Sequence, residues 1–456
     1  MQTDSVDVIA PPTFLAKTRA VEARAEATIR DHARWLTLIL GGAFLLRLIW
    51  MAFSQWQPMP DDDAFRYDFA ARALADGRGY IHIDGTPTAF WPPGYSLLLA
   101  AAYRAFGQGL EVAQLLNIAL STATVGLVYL IGRRALGARH GLVGAAVVAA
   151  FPSLIFFTAV TLSEVAFTFF ALLGAYLLLL ETRPREHRRR HLPLLLAAGL
   201  ALGLASLVRG QALLLPVVLI PFWLRSGVSW PRIGDRLVAL ALGIGLIVAP
   251  WSVRNVIQMD APVLISTNAG VDFWIGHHEA ATGDFGPTGG DELVFSHPEL
   301  DSVEREVRIN TEGFRKGLDF AISNPKDELV LPFKKLFWLY YSDEEGLKWN
   351  EGHGGQAFLD GWLREGLLGL SNVYYFSVLV LFVLGMPLWF SLRDPGRLLL
   401  ISLFAYWTLV HVVFFGDPRF HAPIMPVVAL LASLPLVAVW SGRPPWAAQT
   451  PPSPER

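Results

Sequence analysis

The sequence predicts an all-α polytopic membrane protein with about ten transmembrane helices. Of its 456 residues, 53% are hydrophobic and only 17% are charged. The apolar residues also gather in long blocks instead of recurring at amphipathic spacing. A helix needs roughly 20 apolar residues to cross the hydrocarbon core of a bilayer. Blocks that approach this length lie near residues 34–53, 112–131, 140–158, 161–180, 192–208, 210–224, 236–250, 371–391, 397–415 and 421–440.

Arginine-rich loops predict the orientation of these spans. The densest is ETRPREHRRRH at 181–191, and short loops rich in Lys and Arg remain on the cytoplasmic side. With this loop inside, alternation puts three further basic clusters inside as well: Lys17/Arg19/Arg24/Arg30, Arg133/Arg134/Arg139 and Arg225/Arg232/Arg236. The predicted parts of the chain are cytoplasmic tails at 1–33 and 442–456, a transmembrane core at 34–250 with an outer loop at 54–111, a second outer region at 251–370, and C-terminal spans within 371–441.

The first apolar block is expected to be an uncleaved anchor. A charged tail precedes it, and FSQWQPMP follows it without the small residues of a signal-peptide cleavage site. The chain has no cysteine, so disulfides and thiolate-bound metals are excluded.

The segment KDELVLPFKKLFWLYYS at 326–342 is apolar and aromatic but short, with Pro332 and the pair Lys334/Lys335 in its middle. This pattern favours a helix at 326–341 that lies in the membrane interface. As an eleventh span it would put Arg393 and Arg397 outside, against the positive-inside trend.

The first outer loop is expected to form two amphipathic helices on the membrane surface. Asp62 or Asp63 caps the first, which runs to about Ala75 and stops at Gly77 and Gly79. The second begins at Pro92-Pro93 and ends at Gly107, with apolar residues at helical spacing.

Three carboxylates, Asp61, Asp62 and Asp63, stand at the start of the first of these helices. Capping explains one of them, because Asp is a preferred N-cap residue. Crowding of like charges raises a carboxyl pKa, whereas a helix N-terminus lowers it. One of the three is therefore a candidate general base, and solvated capping residues are the simpler interpretation.

Arg209, Arg254 and Arg419 are predicted near the outer face, where arginine is disfavoured. Each is either a snorkelling or ion-paired structural residue, or part of a phosphate site if they converge. Glu164 begins the fourth span and is a functional candidate, although helix capping explains it nearly as well.

Histidines and tryptophans of the outer regions give weaker signals. His277, His278, His353 and His421 lack the spacing of a dedicated metal site, so no metal is predicted, although a divalent ion is compatible with the sequence. Trp91, Trp274 and Trp338 are suited to stacking on a sugar or lipid, although anchoring at the interface is the more ordinary use of such tryptophans.

Several motifs together resemble the GT-C glycosyltransferases. They are DAFRY at 63–67, the pattern A-x-x-L-x-x-G-x-G-Y at 71–80, PTAFWPPGYSLLLA at 87–100, PWSVRN with ISTNAGVDFWIGHHEAATGDF within 250–285, and RFHAPIMP at 419–426. Within this superfamily the chain looks like the bacterial phospholipid-carrier-dependent branch of the family 39 type, which is related to protein O-mannosyltransferases and to the lipid A aminoarabinose transferase. The resemblance covers essentially the whole chain in order.

The resemblance implies an outward-facing enzyme that moves a sugar, with inversion, from a polyprenyl-phosphate carrier to an acceptor hydroxyl. By its offset from Tyr67, Asp63 matches the catalytic Asp of these relatives. The Glu that usually follows is replaced by Ala64, which makes Asp62 the second candidate. The implied donor-phosphate residues are Arg209, Arg254, Arg419, His421 and Glu164, and the implied sugar or acceptor pocket comprises Tyr67, Trp91, Tyr95, Asn268 and Trp274.

The expected partners are the lipid-linked donor, membrane lipids and an envelope lipid, glycan or protein acceptor, with no nucleic acid. No cofactor is firmly implied, and the expected location is the bacterial inner membrane with a cytoplasmic N-terminus. A transporter or lipid flippase is the main rival, and a lipid-diphosphate-dependent glycan ligase or polymerase is another. The sequence has no internal repeat or paired broken helices of the kind typical of transporters.

Overall fold

The computed structural model describes residues 14–60, 62–181, 191–351, 357–389 and 394–440, and over these ranges the chain is helical. Apart from one isolated bridge between Ile81 and Pro87, the described residues form no β-structure. The all-α prediction is therefore confirmed. In chain order the α-helices are α1 (Phe14–Phe53), α2 (Asp63–Ala75), α3 (Gly94–Phe106), α4 (Leu110–Ala135), α5 (Ala138–Ala149), α6 (Pro152–Phe156), α7 (Glu164–Glu181), α8 (His191–Val208), α9 (Leu215–Val218), α10 (Ile220–Arg225), α11 (Trp230–Met259), α12 (Ala269–Gly276), α13 (Pro287–Val294), α14 (Ser302–Ser323), α15 (Pro325–Tyr340), α16 (Glu345–Glu351), α17 (Gly361–Trp389), α18 (Pro395–Val413) and α19 (Met425–Trp440). Short 3₁₀ helices cover Phe157–Ala159, Gly210–Leu214 and Pro418–Ile424.

Each of the ten predicted apolar blocks falls on helix, but not every one is a long straight span. Among the described residues, seven helices are long and apolar enough to cross a membrane, or eight if a pair bent by 64° counts as one. The bent pair is α5 with the segment 152–159, where Pro152 restarts the helix. The blocks at 192–208 and 210–224 form shorter apolar helices. The protein is thus a multi-pass membrane protein.

The C-terminal helix lies at the centre of the bundle. In the segment Pro418–Trp440, 83% of the apolar window is buried inside the protein, compared with 17% for Asp31–Phe53 at the N-terminal edge. Helix α19 packs against α5 and α17, while α7 packs against α4 and α8, and α8 against α11. The residues that precede α19 are therefore held in the interior.

The two helices of the first outer loop are present at the predicted positions. Helix α2 begins directly after Asp62, and the chain leaves it at Gly77, whose φ of 78° is left-handed. Helix α3 packs closely on the end of α8, because a Cβ on Gly94 would come within 2.6 Å of the Val208 backbone nitrogen. This contact brings the first outer loop next to Arg209.

The segment predicted to lie in the interface is α15, which is only 16 residues long and is not among the candidate spans. Leu331, Lys335 and Leu339 form its buried side, whereas Phe333 and Phe337 are exposed. An amphipathic helix of this kind is suited to the membrane interface. The location of α15 in the interface stays a prediction.

Some of the predicted features lie outside the described residues. They are the arginine-rich loop within 182–190, the tails at 1–13 and 441–456, Asp61, His353, and the end of the eighth block with the turn at 390–393.

Candidate active site

A large cavity opens where the two regions predicted to lie outside, 54–111 and 251–370, meet the ends of the apolar helices. Its volume is about 1570 Å³. The lining comes from α2, the link before α3, α12 to α14 and α16, together with the ends of α8 and α18. One part is apolar, with Val208, Leu213, Leu214 and Leu264, and another part is rich in charged side chains.

Two carboxylates and two arginines form a connected cluster at this cavity. Arg419 donates from Nη1 to Asp63 Oδ2 at 2.8 Å and from Nε to Glu164 Oε1. Arg209 donates from Nη2 to the same Glu164 oxygen at 2.5 Å, and from Nε to Ser163 Oγ at 3.0 Å. Glu164 therefore holds both guanidinium groups side by side.

Asp63 is the most exposed member of the cluster. Its side chain is 37% exposed, compared with 8% for Arg209 and Arg419 and 3% for Glu164. Its second oxygen, Oδ1, accepts a hydrogen bond from Trp91 Nε1 at 3.2 Å. A carboxylate has about four acceptor positions, so Asp63 retains capacity for a further donor such as an acceptor hydroxyl.

The cluster is assembled from the ends of separate helices. Asp63 lies in the first turn of α2 and Glu164 in the first turn of α7, where helix dipoles favour carboxylates. Arg209 follows the last residue of α8, and Arg419 lies in the 3₁₀ helix before α19. Asp417 caps that 3₁₀ helix by accepting from the backbone nitrogen of Arg419 at 2.7 Å. Two positive and two negative charges balance one another, which burial requires.

Asp62, the second candidate base, is the N-cap of α2. Its Oδ1 accepts from the backbone nitrogen of Phe65 at 2.6 Å, and its side chain also lines the cavity. Capping commits this oxygen of Asp62 to the helix.

Three residues of the predicted pocket line the cavity. They are Tyr67, Trp91 and Asn268. Tyr67 is buried below the cluster, and burial together with the charge of Asp63 raises its pKa to about 12. Its hydroxyl therefore remains protonated at neutral pH and can only donate or accept a hydrogen bond.

Four other predicted residues are not among those that line the cavity: Arg254, His421, Tyr95 and Trp274. Arg254 donates to the carbonyls of Thr88 at 2.7 Å and Tyr80 at 2.8 Å. His421 is fully buried and bonded to Asp343 at 3.0 Å. Tyr95 is fully buried against Asn117, and Trp274 packs on His278. Arg254 and His421 thus hold the fold around the site.

Glu306 is a buried hub that joins the two outer regions. Its Oε1 accepts from the backbone nitrogen of Ala89 at 2.8 Å and from Thr267 Oγ1 at 2.6 Å. Its Oε2 accepts from Thr88 Oγ1 at 2.8 Å and lies 3.2 Å from His82 Nε2. Because residues 88 and 89 directly precede the segment of Trp91, this hub positions the side chain that donates to Asp63.

Several residues that line the cavity were not predicted from the sequence. Asp272 and Asp417 line the cavity, and burial raises their pKa values to about 7 and about 6 respectively. Trp349 lies below Arg419, with the guanidinium carbon 4.7 Å from its ring centre. No spacing or motif distinguished these residues, although Asp272 lies within the ISTNAGVDFW stretch that carried part of the resemblance.

Among the described residues, no three His, Asp or Glu side chains are grouped so that they could hold a metal ion. His277 is instead bonded to Glu328 at 2.8 Å and to Lys335 at 3.0 Å.

Comparison with solved structures identifies the architecture. The archaeal oligosaccharyltransferase AglB from Archaeoglobus fulgidus, in complex with an inhibitory peptide and a dolichol-phosphate, aligns with 92% of the chain at a TM-score of 0.53 and 14% identity. An Archaeoglobus fulgidus oligosaccharyltransferase in complex with Zn and sulfate aligns with 90% of the chain at a TM-score of 0.53 and 14% identity. The chain has the GT-C fold. This agrees with the fold that the sequence resemblance implied.

The aligned part of this chain covers about half the length of these oligosaccharyltransferases, 52% of the first and 49% of the second. ArnT from Cupriavidus metallidurans bound to undecaprenyl phosphate aligns with 89% of the chain and 78% of its own length, at 15% identity and a TM-score of 0.47. Residues 91–253 match the family model described as dolichyl-phosphate-mannose-protein mannosyltransferase. Comparison with curated protein sequences gave no significant match.

Proposed function

We propose that this GT-C chain is an inverting glycosyltransferase that moves a sugar from a polyprenyl-phosphate carrier to an acceptor hydroxyl. The observation that carries the proposal is the pairing of Asp63, open to a large cavity, with the buried arginine Arg419. A base and a phosphate-binding cation thereby lie at one wall of the same cavity. The match of residues 91–253 to a mannosyltransferase family that uses a phosphate-linked donor supports the same reaction.

Asp63 acts as the general base. As the acceptor oxygen attacks the anomeric carbon, its proton passes to a carboxylate oxygen of Asp63, and the bond between that carbon and the phosphate oxygen breaks. Attack from the face opposite the phosphate gives inversion. A positioned base of this kind contributes roughly 10²–10⁴-fold to the rate.

Arg419 and Arg209 stabilise the leaving group. The phosphate oxygen gains negative charge as the bond breaks, and guanidinium groups match phosphate oxygens in charge and geometry. Glu164 holds the two arginines in place before the substrate arrives, so little reorganisation is needed in the transition state. Arg254 and His421, which do not line the cavity, act as supports in this proposal.

The apolar part of the cavity takes the lipid end of the donor. Leu213 and Leu214 lie in the 3₁₀ helix immediately after Arg209, so apolar lining continues directly from the arginine pair. A polyprenyl chain placed there would bring its phosphate to the arginines. The dolichol-phosphate named with the AglB structure is a lipid phosphate of this chemical class.

We also propose an orientation for the chain in the membrane. The arginine-rich loops support a cytoplasmic N-terminus, and we propose that the cavity lies on the outer face of the bacterial inner membrane. The acceptor is an envelope lipid, glycan or protein, and α15 lies in the membrane interface. Cysteines introduced at Ser54 and Ser226 test the orientation, because only the first should react with an impermeant maleimide in intact cells.

The central experiment is transfer of labelled sugars from polyprenyl phosphate in membranes that contain the protein. Asp63→Asn should reduce transfer at least about 100-fold while donor binding is retained, because asparagine cannot take the proton but fills the same space. Asp76→Asn, an exposed carboxylate just after the same helix, is the matched control. Full transfer by Asp63→Asn would overturn the assignment. An absence of transfer with every donor, together with substrate flux across vesicles, would favour a transporter.

A further inference from the structure

We propose that Asp272 and Asn268 form a subsite that binds ring hydroxyl groups of the transferred sugar and so sets sugar specificity. The inference rests on the proposed glycosyl transfer and extends it, since neither the cavity nor the arginine pair distinguishes one sugar from another. Both residues line the cavity, on the wall contributed by the second outer region.

The two side chains are already oriented for a ligand. Asn268 Nδ2 donates to Asp272 Oδ2 at 3.0 Å, and Asn268 Oδ1 accepts from Ser266 Oγ at 2.8 Å. In the described part of the chain, no residue forms a hydrogen bond with Asp272 Oδ1. One carboxyl oxygen is therefore fixed by a neighbour and the other is available in the cavity, which suits the binding of a hydroxyl.

The position of Asp272 relative to the reacting groups points to the sugar instead of the lipid or a distant part of the acceptor. The charge of Asp63 and the charge of Arg209 both act on the Asp272 carboxyl. In the proposed reaction the acceptor oxygen lies at Asp63 and the phosphate at the arginines. The ring of the transferred sugar joins these two points, and Asp272 lines the same cavity as Asp63 and Arg209, so we place its carboxyl against the ring.

The ionisation of Asp272 agrees with this role. Burial, and to a smaller extent the charge of Asp63, raise the pKa of Asp272 to about 7. A carboxyl group that holds its proton part of the time both donates and accepts, as a sugar hydroxyl does. Neutralisation also avoids a further negative charge beside the donor phosphate.

The helix that carries Asp272 is held rigidly. The backbone nitrogen of Gly270 donates to Asn310 Oδ1 on α14 at 2.8 Å. The two helices approach so closely here that a Cβ on Gly270 would collide with the Asn310 carbonyl, and a Cβ on Gly313 with that of Gly270. Small displacements of the subsite are thus resisted, which is what discrimination between epimers requires.

The test compares polyprenyl-phosphate donors that carry mannose, glucose, galactose or arabinose, with the wild type and the Asp272→Ala, Asp272→Asn and Asn268→Ala variants. Wild-type kcat/KM should favour one donor. Asp272→Ala and Asn268→Ala should reduce that preference at least about tenfold by slowing the preferred sugar most, because a site that bonds a hydroxyl discriminates strongly against sugars that misplace it. Asp272→Asn should lie between, since an amide keeps part of the bonding. Asp291→Asn, a cavity-lining carboxyl on α13, is the matched control.

The outcomes separate the two proposals. If the wild type transfers no sugar, the proposed function fails. If transfer occurs and Asp272→Ala and Asn268→Ala, folded by their melting temperatures, keep the full wild-type preference, the subsite is wrong. A changed preference among acceptors with an unchanged preference among donors would also overturn it, and would assign the pair to the acceptor.

Discussion

Arg419 donates from Nη1 to Asp63 Oδ2 at 2.8 Å, although the two residues are 356 positions apart in the chain. Its Nε simultaneously bonds Glu164, so one guanidinium joins the first outer helix, the start of α7 and the approach to the last span. The planar fork of arginine makes two directed bonds of this kind possible, whereas the lysine ammonium is a single point charge. The candidate base and the candidate phosphate site are thereby coupled through one side chain.

Arg419→Lys should therefore impair both stability and transfer. Lysine keeps the positive charge but loses at least one of the two bonds to carboxylates, each worth roughly 1.5–3 kcal/mol. We expect a lower melting temperature in detergent and a loss of transfer of at least about tenfold, from a displaced Asp63 and a weaker phosphate contact. Arg104→Lys, at an exposed arginine in the last turn of α3, should change neither quantity. If Arg419→Lys had the melting temperature and the transfer rate of the wild type, the two bonds from Arg419 to Asp63 and Glu164 would matter neither for stability nor for transfer.

Substitutions at Asp62 distinguish a cap from a base. Asn is as good an N-cap as Asp, so Asp62→Asn should keep the bond to the Phe65 nitrogen and retain most of the transfer activity. Asp62→Ala should lose the cap and cost about 1 kcal/mol in unfolding free energy. Rates of sugar transfer and melting temperatures of both variants provide the measurement. If Asp62→Asn lost transfer as completely as Asp63→Asn, the base would be Asp62 instead.

Local rules accounted for the helices around the site. Capping by Asp62 and the stop at Gly77 depend on residues within one or two turns of each other, so the bounds of α2 could be predicted from sequence. The span blocks were visible for the same reason, although block length alone could not show that 192–208 forms one of the shorter helices or that 140–158 is bent.

Convergence of the charged residues could not be predicted. Arg209 and Arg254 are chemically identical and both follow or end an apolar block, yet one joins Glu164 and the other binds two backbone carbonyls. The difference arises from tertiary contacts between segments 45 and 166 positions apart. Asp272 gave no local signal either, since a lone carboxyl on a short helix has no recurring spacing and no charged partner nearby in the sequence. The motif resemblance identified the stretch that contains Asp272, but it did not show which side chains contact one another in the folded protein.

The hub at Glu306 should show a graded response to substitution. Glu306→Ala removes the acceptor of the buried Ala89 N–H, and an unsatisfied buried donor costs roughly 1–3 kcal/mol. Glu306→Gln should cost less, because its amide oxygen can still accept from Ala89 while its NH₂ group faces Thr88 and His82, whose side chains can accept. We therefore expect the order wild type, Gln, Ala in melting temperature.

Transfer rates should follow the same order, since the hub positions Trp91 and, through it, Asp63. Because Trp91 donates to the candidate base, we expect the Glu306 variants to show a fold decrease in kcat that exceeds the fold increase in the KM for the donor. Asp319→Ala, an exposed carboxylate on the same helix, is the control and should resemble the wild type. Equal melting temperatures for Glu306→Ala and Asp319→Ala would contradict a structural role of the hub.

The buried Lys335 should make stability depend on alkaline pH. Its Nζ lies 3.0 Å from His277 Nε2 and 3.3 Å from the Val413 carbonyl, and the side chain is only 1% exposed. Burial lowers its pKa from 10.5 to about 8, against the opposing charge of Glu328. Between these two values the unfolded chain binds a proton that the folded chain does not, so stability rises with pH over this window.

Lys335→Met fills much of the same space without a charge and should remove that rise. At pH 7 the wild type carries the buried ammonium, at a cost on the order of 3 kcal/mol for a shift of this size. The variant should then melt higher than the wild type at pH 7, and the difference should narrow as the pH increases from about 8 to about 10, where the wild-type lysine also becomes neutral. Melting temperatures across this range measure the effect, and Lys334→Met, at the exposed neighbouring lysine, should follow the wild-type curve in shape. A constant offset between wild type and Lys335→Met at every pH would mean that Lys335 keeps its proton throughout, held by Glu328 more strongly than burial opposes it.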